Sequence, residues 1–133
     1  MSVLYTYNTN TEGTPMKFNP TVPIYLQIMD VIKKDVVTGV LARGERVESV
    51  RALAEKFGVN LNTMQRACSE LEREGVIYTQ RGVGSFVTED DNIIRAVKEQ
   101  MCGGIVTEFV NGMRSLGFAN NEILEIVGKA LVL

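Results

Sequence analysis

Residues 49–75 read SVRALAEKFGVNLNTMQRACSELEREG, and their spacing decides the fold. Ser49 has the short acceptor side chain of a helix N-cap, and Leu53, Ala54 and Phe57 recur on one face of the segment that follows. Gly58-Val59 is too short for anything but a tight link. Asn60 then caps a second helix whose Met64, Ala67, Cys68 and Leu71 form a buried stripe before Gly75 stops it. The first turn of that helix, Asn60-Leu61-Asn62-Thr63, carries short hydrogen-bonding groups at a helix end. Two helices joined so closely must cross, which exposes this polar turn.

Upstream, Pro23 suits a first helical turn, and Tyr25, Ile28, Met29, Ile32 and Val36 share a face until Gly39. Val40 to Val47 is a short extended segment with a turn at Gly44. Downstream, VIYTQ and SFVT flank RGVG, two β-rich runs around a Gly82-Val83-Gly84 turn, the pattern of a hairpin. Helix, short helix, tight turn, helix and hairpin is the order of a winged helix-turn-helix. The class is therefore α+β, mostly α. The polar helix end stands where a major groove would receive it.

The boundaries follow from composition. Residues 1–20 read as a flexible leader rich in Thr and Asn, with a short strand pattern at Val3 to Tyr7; Met1 and Met16 both qualify as the start. Residues 21–88 form the winged helix-turn-helix and 89–133 a helical tail. In the tail, acidic Asp90-Asp91 opens a long amphipathic helix of roughly 24 residues by its period. Ile94, Val97, Met101, Ile105, Phe109, Met113 and Leu116 follow at spacings of three or four. Gly103, Gly104 and Gly112 weaken it by up to about 1 kcal/mol each. Gly117 ends it, Asn120 caps a last helix, and Ile123, Leu124, Ile126, Val127, Ala130 and Leu131 make that helix largely apolar. Two such helices cannot cover their own apolar surface. A second copy of the chain can, so the tail, and Ile94, Val97, Met101, Ile105, Phe109 and Met113 in particular, is expected to make a homodimer.

Charge and chemistry narrow the function. The net charge of −2 divides unevenly. Residues 21–88 carry nine basic against eight acidic groups, a net of +1, and residues 89–133 carry four against seven, a net of −3. A uniformly basic coat is excluded; a locally basic surface is not. Histidine is absent, and two isolated cysteines cannot build a tetrahedral metal site, so no metal and no cofactor are expected. Neither GxxxxGK[ST] nor GxGxxG occurs, and the carboxylates lie singly or beside basic partners, so an enzyme is not expected. Cys68 and Cys102 both read as reduced thiols filling a core, in a cytoplasmic chain with no membrane span or export signal.

PIYLQI at 23–28, the run VESVRALAEKFGVNLNTMQRACSELEREGVI at 47–77, and RGVGSFV at 81–87 together resemble the GntR family of bacterial transcription regulators. The VNLNTMQRA wording and the short two-helix tail are most similar to its YtrA-type branch. That resemblance implies a homodimer binding a palindromic operator, usually as a repressor, often at genes for ABC transporters. A small-molecule effector is not implied by so short a tail. Arg51 matches the family's arginine at the start of the second helix. Asn60, Leu61, Asn62, Thr63 and Gln65 match its recognition turn, and Gly82 and Gly84 match the wing tip. The chain departs from the pattern at Glu48, where proline is usual, and at Leu61 and Gln65, where many members hold arginine.

The groove code then assigns roles. Arg51, Arg66 and Arg81 can hold phosphates, as can the helix end at Asn60 and Thr63. Asn62 and Gln65 suit adenine and Leu61 a thymine methyl. The bland readings are that Asn60 is only a cap, that Arg66 or Arg73 pairs with Glu70, and that Arg81 only solubilises the hairpin. Two rival functions stay open: a winged helix used as a protein-interaction module, and an effector sensor with a pocket around Phe109, Met113 and Phe118.

Overall fold

A computed structural model describes residues 17–132. The elements run α1 (Ile24–Thr38), β1 (Arg46–Val47), α2 (Val50–Phe57), α3 (Leu61–Arg73), β2 (Ile77–Gln80), β3 (Gly84–Val87), α4 (Asp91–Ser115) and α5 (Asn120–Leu131). They fall into two compact units, divided between Lys98 and Glu99 inside α4. The fold class is that read from the sequence, α+β and mostly helical. Most of the leader, with its strand pattern at Val3 to Tyr7, lies outside the described residues.

In the first unit α3 packs against both α1 and α2, and its C-terminal end meets the hairpin. Ile28, Met64, Leu71, Val76 and Val87 are the most deeply buried apolar side chains, joined by Leu53, Ala54, Phe57, Ala67 and Ile77. Each large side chain in that set contributes about 1.5–3 kcal/mol by leaving water. The link between α2 and α3 is held by its own backbone. Gly58 ends α2 at φ +70° and donates to Ala54 and Glu55, and the Val59 N–H returns to the Ala54 carbonyl at 3.0 Å. Only glycine adopts that angle cheaply. Ser49 Oγ accepts from the Ala52 N–H at 3.1 Å to start α2, as expected.

β2 and β3 form the antiparallel hairpin, and β1 adds on the far side of β3, giving the order β1-β3-β2. The extended segment read at Val40 to Val47 narrows to Arg46–Val47, which pair with Phe86 and Ser85. Val47, Ile77 and Val87 turn inward, whereas Arg46, Tyr78 and Phe86 share the opposite face. There the Tyr78 and Phe86 rings stack with centroids 5.6 Å apart.

Gln27, fully buried on α1, is saturated with hydrogen bonds. Its amide donates to the Asn19 and Val22 carbonyls at 2.7 and 2.8 Å and accepts from the Asn19 N–H at 2.8 Å. The last residues of the expected leader are thus bound to the helix. Lys33 and Glu74 make a half-buried ion pair at 3.0 Å that ties α1 to the end of α3.

The first two turns of α4 belong to this unit. Ile94 and Val97 are only 8% and 7% exposed, buried within the chain itself rather than left for a partner. In the second unit, residues 99–132, Ile123 is the one fully buried residue among those described. Ala119, not Asn120, caps α5: its N–H donates to the Glu122 carboxylate at 3.0 Å. Asn120 instead accepts from Arg114 at 3.0 Å. Cys102 is exposed, which corrects the reading of both cysteines as core residues; Cys68 alone is buried.

Candidate nucleic-acid interface

The polar start of α3 is free of the core. Asn60 Oδ1 accepts from the Thr63 N–H at 2.8 Å, so the expected cap is made and the chain enters the helix in a fixed direction. Because Met64, Ala67, Cys68 and Leu71 face inward, the 3.6-residue period turns Asn62, Gln65 and Arg66 outward, while Leu61, on the side of the stripe, is exposed as the first residue of the helix. Leu61 is 45% exposed, an apolar group with no reason to be there for the core. Gln65 lies along the helix and donates to Ser69 Oγ at 3.2 Å, a weak bond that a base edge can displace.

The arginines sort by their partners. Glu70 is taken by Arg73, which settles that pairing and leaves Arg66 to another neighbour. The Arg66 guanidinium lies over the Tyr25 ring, 3.9 Å from its centroid, so α1 sets its position. Arg51, exposed near the start of α2, and Arg81, at the hairpin tip, make no ion pair among the described residues. Glu48, the acid that departs from the family pattern, has Lys56 3.5 Å away, which offsets part of its charge.

At the wing, Arg81, Gly82 and Val83 link the strands, with Gly82 at φ +80° and Gly84 at φ +146°. Arg46 from β1 reaches this tip and donates from Nη2 to the Val83 carbonyl at 2.9 Å. The sequence does not mark Arg46 or Lys56 as site residues, and it places Tyr25 only on the apolar face of α1. The roles of Arg46 and Tyr25 depend on which strands pair and which helices touch, and no local spacing encodes that. Among the described residues no cluster of His, Cys, Asp or Glu is arranged to hold a metal ion. No described helix is long and apolar enough to cross a membrane.

The family model "Bacterial regulatory proteins, gntR family" matches residues 24–87, α1 through the wing. The transcriptional regulator YhcF of Bacillus subtilis strain 168 is 39% identical over 109 residues, covering 82% of this chain and 90% of its own. The chain belongs to the GntR family. A second relative, the transcriptional repressor YtrA of the same organism, is 38% identical over 85 residues, 59% of this chain and 65% of its own. A GntR-family regulator from Listeria monocytogenes superposes with a TM-score of 0.77 at 38% identity, over 84% of this chain and 98% of that one. This GntR protein is therefore a DNA-binding transcription regulator of YtrA-like kind, not an enzyme.

Proposed function

We propose that the protein is a cytoplasmic repressor that binds an inverted-repeat operator as a homodimer. Residues 21–88 bind DNA, and the tail that begins at residue 89 joins two copies. The observation that carries this reading is the outward row on α3. Leu61, Asn62, Gln65 and Arg66 stand exposed around a capped helix end, with Arg51 exposed near the start of α2 and Arg81 at the wing tip. An α-helix presented end-on in this way fits a major groove, and the glycine-bearing wing fits the adjacent minor groove.

In these roles Arg51, Arg66 and Arg81 hold phosphates, Asn60 and Thr63 support the helix end, and Asn62, Leu61 and Gln65 meet base edges. Gly82 and Gly84 let the wing backbone approach closely.

The dimer is supported by the tail's surface. Ile105, Leu116, Leu124 and Leu131 are 70–79% exposed, and Val106 and Phe109 are also exposed. Beyond Lys98 the described tail has one buried residue, Ile123, too few for a core of its own. A second copy supplies it through Met101, Ile105, Phe109 and Met113. Likeness to YtrA extends the proposal to genes for ABC transporters.

Selection of random duplexes by the purified protein tests the reading, combined with light scattering of the free protein. We expect an inverted repeat, its halves about one or two helical turns apart, bound by two chains. Enrichment of an unpaired half-site, or a monomer at micromolar concentration, would reject the dimeric operator model.

A further inference from the structure

We propose that Arg46 is the residue that positions the wing for DNA. Three observations converge on it, and they rest on the reading that the wing meets a groove. The first is register. Arg46 lies opposite Phe86 in the β1–β3 pair, so Gly84, two residues along β3, lies on the same face within diagonal reach.

The second is the hydrogen bond from Arg46 Nη2 to the Val83 carbonyl, at 2.9 Å. Val83 is the last residue of the tip, and its N–H already closes the turn onto Gln80 at 2.9 Å. Both backbone groups of that residue are therefore fixed.

The third is the seat beneath the guanidinium. A Cβ on Gly84 would stand 3.0 Å from Arg46 Nε and 3.2 Å from Nη2. Gly84 thus leaves room for the arginine as well as adopting φ +146°. Any side chain there would push against the guanidinium.

The Val83–Gln80 bond closes the turn, but glycines at positions 82 and 84 leave the tip few side chains of its own to brace it against the sheet. Among the described residues, Arg46 is the one side chain from outside the hairpin with a hydrogen bond to that tip, and it reaches across from the third strand. It acts through the wing and is not assigned a base or a phosphate. A planar guanidinium suits this task, since it can lie flat on a bare backbone while donating sideways; an ammonium cannot.

The test uses the full-length protein and the duplex that the wild type selects. In DNA-free protein, Arg46→Ala should move the amide resonances of Val83 and Gly84 while leaving helix content unchanged. Affinity should fall about five- to tenfold, the scale of one net hydrogen bond. The slope of log affinity against log salt should not change.

Arg46→Lys, which keeps the charge and the stem, should bind nearly as weakly as the alanine variant, and it carries the test should that variant melt early. Combining Arg46→Ala with Gly84→Ala should cost no more than Gly84→Ala alone.

Unmoved Val83 and Gly84 resonances, wild-type affinity, additive losses or full rescue by lysine would each overturn the proposal. A salt slope lower by roughly 0.9 per half-site would show a direct phosphate contact instead. A wild-type protein that selects no duplex would reject the DNA reading itself, and the positioning role with it. The resonances would then still report whether Arg46 holds the tip.

Discussion

Arg51 and Cys68 show how differently a residue's surroundings can set its role. Arg51 is exposed and makes no ion pair among the described residues, so its charge is available to a ligand. If it holds a phosphate, Arg51→Ala should weaken binding to selected and scrambled duplexes alike. It should also flatten the log-log salt dependence by roughly 0.9 for the phosphate that each half-site no longer engages. An unchanged slope and affinity would remove Arg51 from the interface. Cys68 is the opposite case. Burial, and secondarily the Glu72 carboxylate one turn on, push its thiol pKa up. The raised value means less thiolate at a given pH, and thiolate is the reactive form. In a Cys102→Ser background, alkylation of Cys68 should therefore rise with pH through a higher midpoint in the folded protein than in guanidinium chloride. Equal midpoints would show that access alone, and not the proton, limits the reaction.

Among the elements, α3 carries the sharpest prediction. Leu61 and Gln65 stand where many GntR members hold the arginines that grip guanine through O6 and N7. Beside Asn62 they offer other chemistry, while Arg66 lies over Tyr25. Amides pair with adenine N6 and N7, and a leucine meets a thymine methyl, so the contacted block should be rich in A·T. Gln65 has only a 3.2 Å bond to Ser69 to give up. In a selection of random duplexes, Gln65→Arg should shift one symmetric position toward guanine, with about 1–3 kcal/mol of discrimination at that position. A guanine-rich wild-type half-site, or no shift in the variant, would assign specificity to Arg51, the wing or DNA shape. The same helix shows what was legible from the sequence. Its cap at Asn60 and its stripe at Met64, Ala67, Cys68 and Leu71 are written in spacings of three and four, and the structure reproduces both. The partners of Arg46 and Arg66 are not local. Arg46 meets Val83 across 37 residues, and Arg66 meets Tyr25 from another helix. Only the assembled sheet and bundle bring these pairs together. Asn120 failed as a cap for a smaller reason: the chain offers Glu122 to the Ala119 N–H, and the helix starts one residue earlier.

At the scale of the whole chain, the stripe along α4 is continuous in sequence but serves two ends. Ile94 and Val97 pack within the unit that ends at Lys98, while Ile105 and Phe109 are exposed beyond it. Periodicity cannot reveal that division, because one helix carries both halves at the same spacing. Truncation can. Cutting after Thr88 removes Ile94 and Val97 from the core, a loss of about 1.5–3 kcal/mol for each buried side chain. Set against a typical domain stability of about 5–15 kcal/mol, losing both would leave the winged helix marginal. Cutting after Lys98 keeps both residues and removes only the exposed tail. The shorter fragment should therefore melt well below the longer one, and the longer one should be a folded monomer in light scattering. It should still bind a single half-site, with lower affinity than the full-length pair. Equal melting of the two fragments would show that the start of α4 adds nothing to the winged helix. A dimer that persists in the longer fragment would place the contact between copies before residue 99.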